Sequence, residues 1–115
     1  MTTKDHRKHL RIDSLNLLHY TCMDHHNQKV GQGMGRTLDV SESGIRLETH
    51  APLEAEQFVA LTIGFEDDTI QIQGQVIHVQ PNPNGRFEAG INFFDIGKAE
   101  LAILKQYIAL FVSQK

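Results

Sequence analysis

The chain has 115 residues, 40% of them hydrophobic and 22% charged, with a formal net charge of −3. That length suits one domain around a single core, and a mildly acidic body excludes a general nucleic-acid binder that works by neutralising phosphates. A single cysteine, Cys22, excludes an intrachain disulfide scaffold; with no signal-peptide pattern in residues 1–10 and no apolar run long enough to span a bilayer, the expected compartment is the cytoplasm, with no membrane insertion.

Residues 1–13 are charged and lack a strand period, with Lys4, Arg7, Lys8 and Arg11 set against Asp5. They are expected to form a mobile N-terminal arm, a local anion site on an acidic body, with residues 14–115 as the folded unit. Residues 15–22 are apolar enough for a first strand, although the parity slips at Leu17 and Leu18. His25, His26 and Asn27 suggest a turn, and Gly31, Gly33 and Gly35 a flexible connection. Met34, Arg36, Leu38 and Val40 then alternate with Gly35, Thr37, Asp39 and Ser41, the period of a half-buried strand. After the turn Ser41-Glu42-Ser43-Gly44, Ile45, Leu47 and Thr49 alternate with Arg46, Glu48 and His50 until Pro52 breaks the run.

Val59, Leu61, Ile63 and Phe65 form a clear strand face, and Glu66-Asp67-Asp68 reads as a hairpin turn. Ile70, Ile72, Gly74 and Val76 share one parity while Ile77 and Val79 take the other, which predicts a bulge or a doubly buried strand near Val76. The run from Pro81 to Gly85 is a strong turn, and Phe87, Ala89, Ile91 and Phe93 give the last strand face. From Lys98 the period becomes helical, with Leu101, Leu104, Ile108 and Phe111 on one face and Asp95 as the expected N-cap. Ile103, Tyr107 and Leu110 form a second apolar face, expected to meet another subunit in a homodimer or a signalling partner. About six short strands and one helix in so small a chain predict a mainly β protein, a closed antiparallel barrel with a C-terminal helix.

Two motifs carry chemistry: Arg7-x-x-x-Arg11, and Asp39-x-Ser41-x-x-Gly44. An Arg fork grips phosphate or the O6/N7 edge of guanine bidentately and can stack on a base. A carboxylate accepts from guanine's N–H donors, and a hydroxyl beside a glycine lets backbone and ligand approach closely. Asp39 and Ser41 lie two apart on a strand, so both are expected on the outer face, with Leu38 and Val40 turned to the core. Taken singly, each motif reads as an ordinary Ser-rich turn or a solvated basic arm.

Together they resemble the PilZ domain, the bacterial receptor family for cyclic di-GMP, which pairs an N-terminal R-x-x-x-R with a D/N-x-S-x-x-G. The likeness continues through Ile45-Arg46-Leu47-Glu48-Thr49, Pro52-Leu53 and the closing Gly90-Ile91-Asn92-Phe93. It implies a six-stranded PilZ-type antiparallel barrel with a C-terminal α-helix, and cyclic di-GMP as ligand. Arg7 and Arg11 would hold guanine and phosphate, with Asp39, Ser41 and Gly44 as the opposite wall. Two departures stand out: His6 where many members have a further Arg, and Glu56 where many have Gly.

The reading is a second-messenger sensor that orders its arm on binding and signals to an unidentified downstream protein. The competing reading is a PilZ-like interaction module without nucleotide. Single-stranded nucleic acid is disfavoured, since there is no Trp and most Phe residues fall on core parity. No catalytic residues are expected: there is no Ser-His-Asp pattern, no paired carboxylates and no Walker loop, and Cys22 sits in an apolar strand. The pairs His6/His9 and His25/His26 lack the further ligands a metal site needs, and His19 and His78 read as satisfied structural residues.

Overall fold

Short alternating apolar runs, separated by turn residues, give this chain strands that each have one face to bury. The computed structural model describes residues 17–65 and 68–113. It contains β1 (Leu17–Met23), β2 (Lys29–Val40), β3 (Gly44–Thr49), β4 (Phe58–Phe65), β5 (Asp68–Pro81), β6 (Phe87–Phe94) and helix α1 (Lys98–Ser113). The strands close into one antiparallel barrel in the order β1-β2-β3-β6-β5-β4. Pairing of β1 with β4 closes it, His19 opposite Thr62 through Met23 opposite Phe58, so no long edge is left open. The expected arm at residues 1–13, with Arg7 and Arg11, lies outside the described residues, as do Glu66 and Asp67 of the expected turn.

The core follows the strand parities. Leu18, Tyr20 and Cys22 of β1, Val59, Leu61 and Ile63 of β4, and Ile70, Ile72 and Val76 of β5 are buried with Ile45, Leu47, Ala89 and Ile91. Full burial of such an aliphatic side chain contributes about 1.5–3 kcal/mol. The parity slip at Leu17 and Leu18 resolves simply: Leu18 is inside and Leu17 is exposed. The switch near Val76 is a bulge, where the register against β6 shifts between Val76 and His78 and leaves Ile77 exposed.

Four local expectations are corrected. Gly31, Gly33 and Gly35 are not a connection; they belong to β2, paired to Cys22, Tyr20 and Leu18. A side chain at Gly33 would strike the Tyr20 ring, 2.6 Å from its hydroxyl, so the glycine makes room for the tyrosine. Second, the parity of β2 is not constant: Gly35 and Thr37 face inward, Met34 and Arg36 outward, and Leu38 is half-buried. Against β3 the register steps from Thr37–Leu47 to Asp39–Arg46, and this bulge returns Val40 to the core.

Third, Asp95 does not cap α1. The helix begins at Lys98, with Leu101 N–H donating to the Gly97 carbonyl at 2.9 Å, which makes Gly97 the capping residue. Asp95 instead takes a left-handed turn conformation at φ 54°. Fourth, Tyr107 is not on a second helix face. It is buried with Leu104 and Phe111, shares a hydrogen bond of 2.9 Å with the Thr37 hydroxyl, and stacks near Phe111 at 6.4 Å. Leu110 and Val112 remain exposed, while Ile103 packs against the core.

Candidate functional site

The β2–β3 hairpin builds the site. Its turn is closed by Ser41 N–H donating to the Gly44 carbonyl at 2.9 Å. The Ser41 hydroxyl lies 3.1 Å from that of Ser43 and accepts the Ser43 N–H at 3.3 Å. These short-range bonds fix the hydroxyl at the mouth of the hairpin. The bulge after Thr37 then resets the facing of the residues that follow it, so that Asp39 and Ser41 are exposed while Val40 is buried at 7%. A carboxylate oxygen of Asp39 accepts the Val40 N–H at 3.0 Å.

Gly44 does not serve the turn through a positive φ; among the described glycines only Gly85 has one, at 86°. Its role is close approach. Gly44 pairs with Asn92, and a Cβ there would collide with the carbonyl oxygen of Ile91. Ser43 is pinned to the same strand, its carbonyl accepting Phe93 N–H at 2.9 Å. The glycine therefore lets β6 lie tight beneath the hairpin.

Asp39, Ser41 and Gly44 come together along one open depression of about 200 Å³ on the outer face, with Arg46, Ile77, Gly90 and Asn92. Arg7 and Arg11 lie outside the described residues. Arg46 was not singled out from the sequence, yet it stands directly opposite Asp39 on β2 and Gly90 on β6. A signal for it existed: a turn closed by Ser41 and Gly44 sets Val40 against Ile45 and hence Asp39 against Arg46. The ring of His78 covers Gly90, where an added Cβ would meet it.

Beside this depression runs a polar network. Glu48 is buried at 7%, although its strand parity points outward. It is held by Arg36 at 3.8 Å, Arg86 at 3.6 Å, and the amides of Asn82 at 3.2 Å and Asn84 at 3.0 Å. These partners satisfy a carboxylate that could not otherwise be buried. A second depression lies at the Met23 end of the barrel, lined by Met23, Asp24, His25, Phe58 and Phe94 among others. One oxygen of Asp24 there caps its own turn, accepting His26 N–H at 2.8 Å and Gln28 N–H at 2.9 Å. Among the described residues no group of His, Cys, Asp or Glu is placed to hold a metal.

The family profile described as "PilZ domain" matches residues 5–110. The chain belongs to the PilZ family. The PilZ barrel is similar to several solved structures. One is the motility inhibitor MotI (DgrA) of Bacillus subtilis, with TM-score 0.63 and 16% identity over 86% of this chain and 48% of that one. The PilZ domain of YcgR from Escherichia coli, solved with c-di-GMP, gives TM-score 0.61 and 12% identity over 85% of this chain and 83% of that one. MrkH of K. pneumonia, in its apo state, gives TM-score 0.60 and 14% identity over 86% of this chain and 46% of that one. At these identities the likeness speaks for the fold. The chain spans about half the length of MotI and MrkH. No curated protein matches the chain.

Within this family the departure at Glu56 gains a physical meaning. Glu56 has φ 71°, a left-handed conformation that glycine adopts freely. It is held there because its N–H donates to the Val76 carbonyl at 2.7 Å and its own carbonyl accepts from the Gln75 amide at 3.2 Å.

Proposed function

We propose that this PilZ domain is a bacterial cyclic di-GMP sensor that passes the signal to a partner protein. The observation that carries the proposal is the D-x-S-x-x-G hairpin, with Asp39 and Ser41 exposed beside Gly44 along one outer depression. Asp39 would accept from the N–H edge of a guanine, and the Ser41 hydroxyl would meet the sugar-phosphate. Arg7 and Arg11 would complete the site from an arm at residues 1–13, gripping guanine and phosphate as it closes on the barrel formed by residues 14–115. Arm ordering by a charged ligand is a disorder-to-order switch. YcgR supports the reading, since its PilZ domain was solved with c-di-GMP. A binding module of this kind needs no catalytic residues. Its expected place is the cytoplasm, where one buried unpaired thiol such as Cys22 stays reduced.

Calorimetric titration of the pure protein tests the proposal. Binding of cyclic di-GMP well above that of GMP or GTP is expected. Each of Arg7→Ala and Arg11→Ala should weaken it by about tenfold to a hundredfold, the worth of a charge-assisted hydrogen bond of about 1.5–3 kcal/mol. No binding, or equal binding of GMP, would overturn the assignment. The second reading, an interaction module without nucleotide, draws on the exposure of Leu110 at 38% and Val112 at 59% on α1. It gains if partner capture persists in a protein that ignores the nucleotide.

A further inference from the structure

Three guanidinium groups stand half-exposed on the outer face beside the depression: Arg36, Arg46 and Arg86. Arg36 and Arg86 converge on the same oxygen of buried Glu48, at 3.8 and 3.6 Å, and are committed to holding that carboxylate. Arg46 differs. Its acidic neighbour is Glu88, with Nε 4.0 Å from Oε1, and the other oxygen of Glu88 already accepts the Asn82 amide at 2.9 Å. Arg46 is half exposed and Glu88 only 20% so, and a single contact at 4.0 Å holds the Arg46 fork weakly.

The position of Arg46 is as informative as its loose pairing. It faces Asp39 directly across the β2–β3 ladder, so the two side chains leave the sheet about 5 Å apart. On its other side is Gly90, covered by the ring of His78, and Arg46 lines the depression together with Asp39, Ser41 and Asn92. A guanine displays N–H donors on one edge and the O6 and N7 acceptors on the next. A carboxylate and a guanidinium set side by side would read both edges together. Adenine offers a donor where guanine has O6, and would meet the Arg fork with the wrong polarity.

We infer that Arg46 and Asp39 form a cross-strand pair that selects guanine over adenine in the bound dinucleotide, Arg46 exchanging Glu88 for the O6/N7 edge. This rests on the reading of the depression as a cyclic di-GMP site. Arg46 is the barrel's own contribution to base recognition, separate from the two arginines of the arm. The Glu88 contact is the ligand-free resting place of its fork.

The test compares cyclic di-GMP with cyclic di-AMP, which carries the same phosphates and the other purine. Affinities are measured by calorimetry, and by competition where cyclic di-AMP is weak. Wild type, Arg46→Ala, Arg46→Lys, Asp39→Ala and Arg36→Ala are used, each checked by thermal melting. Arg46→Ala is expected to lose cyclic di-GMP affinity tenfold or more while cyclic di-AMP competition stays as in wild type, so that selectivity collapses. Arg46→Lys keeps the charge without the fork and should lose selectivity too. Arg36→Ala should bind as wild type. Equal loss for both ligands would mean that Arg46 grips phosphate, and would overturn the inference. So would unchanged binding in both Arg46 variants while Asp39→Ala still fails, a result that leaves the sensor reading intact. Absence of cyclic di-GMP binding in wild type would remove the sensor reading and the inference together.

Discussion

Val40 and its two neighbours in the motif divide the work at this hairpin. Val40 is buried at 7%, and Asp39 and Ser41 stand outside. Val40→Ala should lower stability by about 2 kcal/mol, through lost transfer energy and a residual cavity. Asp39→Ala and Ser41→Ala should lose ligand and melt near wild type. The opposite pattern in paired melting and binding measurements would invert the strand assignment. Glu56 supplies a second residue-scale case. Its left-handed backbone, at φ 71°, costs about 1–2 kcal/mol for a residue with a Cβ. Glu56→Gly relieves that strain and adds about 0.5–1 kcal/mol of unfolded-chain freedom. The net expectation is a modest rise in melting temperature for Glu56→Gly and none for Glu56→Ala; a fall for the glycine variant would refute the strain account.

Helix α1 is anchored by one face, and the identity of that face was legible only in part. Leu104 and Phe111 were readable from helical spacing, and both are buried. Tyr107 was not, because its polar hydroxyl and its angular position allowed either face; the buried hydroxyl of Thr37, exposed at 4%, decides it. Tyr107→Phe leaves the Thr37 hydroxyl without that bond, and should cost about 1–2 kcal/mol in denaturant unfolding. Leu110→Glu, at a position exposed by 38%, should leave stability within about 0.5 kcal/mol. If Leu110 belongs to an interface with a second copy, sedimentation will show association in wild type that this variant loses. A strictly monomeric wild type would end the homodimer idea. The Thr37 bond also ties α1 to β2 next to the bulge that turns Asp39 outward.

The whole molecule carries an alkaline weakness. Burial raises the hydroxyl pKa values of Tyr20 and Tyr107, against the smaller lowering pull of Thr37 on Tyr107, and burial with the nearby Glu54 raises the Cys22 thiol. The fold therefore keeps these groups protonated beyond their ordinary values of about 10 for Tyr and about 8.5 for Cys. An unfolded chain loses those protons first, so over that range it binds fewer protons than the native state and stability falls as pH rises. Below the ordinary values the contribution is fully present. Melting temperature should decline between about pH 8 and about pH 11, and more gently in Tyr107→Phe measured against its own neutral value. A flat profile in wild type would contradict the burial of these groups.

Local chemistry by itself determined β1, the second half of β2, β3 to β6, the turn after Pro81, the parity switch near Val76 and the D-x-S-x-x-G hairpin, because alternation and turn residues act within a few positions of chain. It likewise marked Asp39, Ser41 and Gly44 as one motif. Packing decided what depends on distant partners. Three glycines that looked like a flexible link are strand because Tyr20 and Leu47 fill the space beside Gly33 and Gly35. The bulge after Thr37 exists only against β3, so no count along β2 could have placed Met34 and Arg36 outside. Glu48 is buried because Arg36, Arg86, Asn82 and Asn84 arrive from other elements. Gly44 is needed for Ile91 on β6, and Arg46 lines the depression only once β6 sets Gly90 beside it. Barrel closure joins β3 to β6 and β1 to β4, residues far apart in sequence, and side-chain periodicity carries no record of which strand will lie alongside.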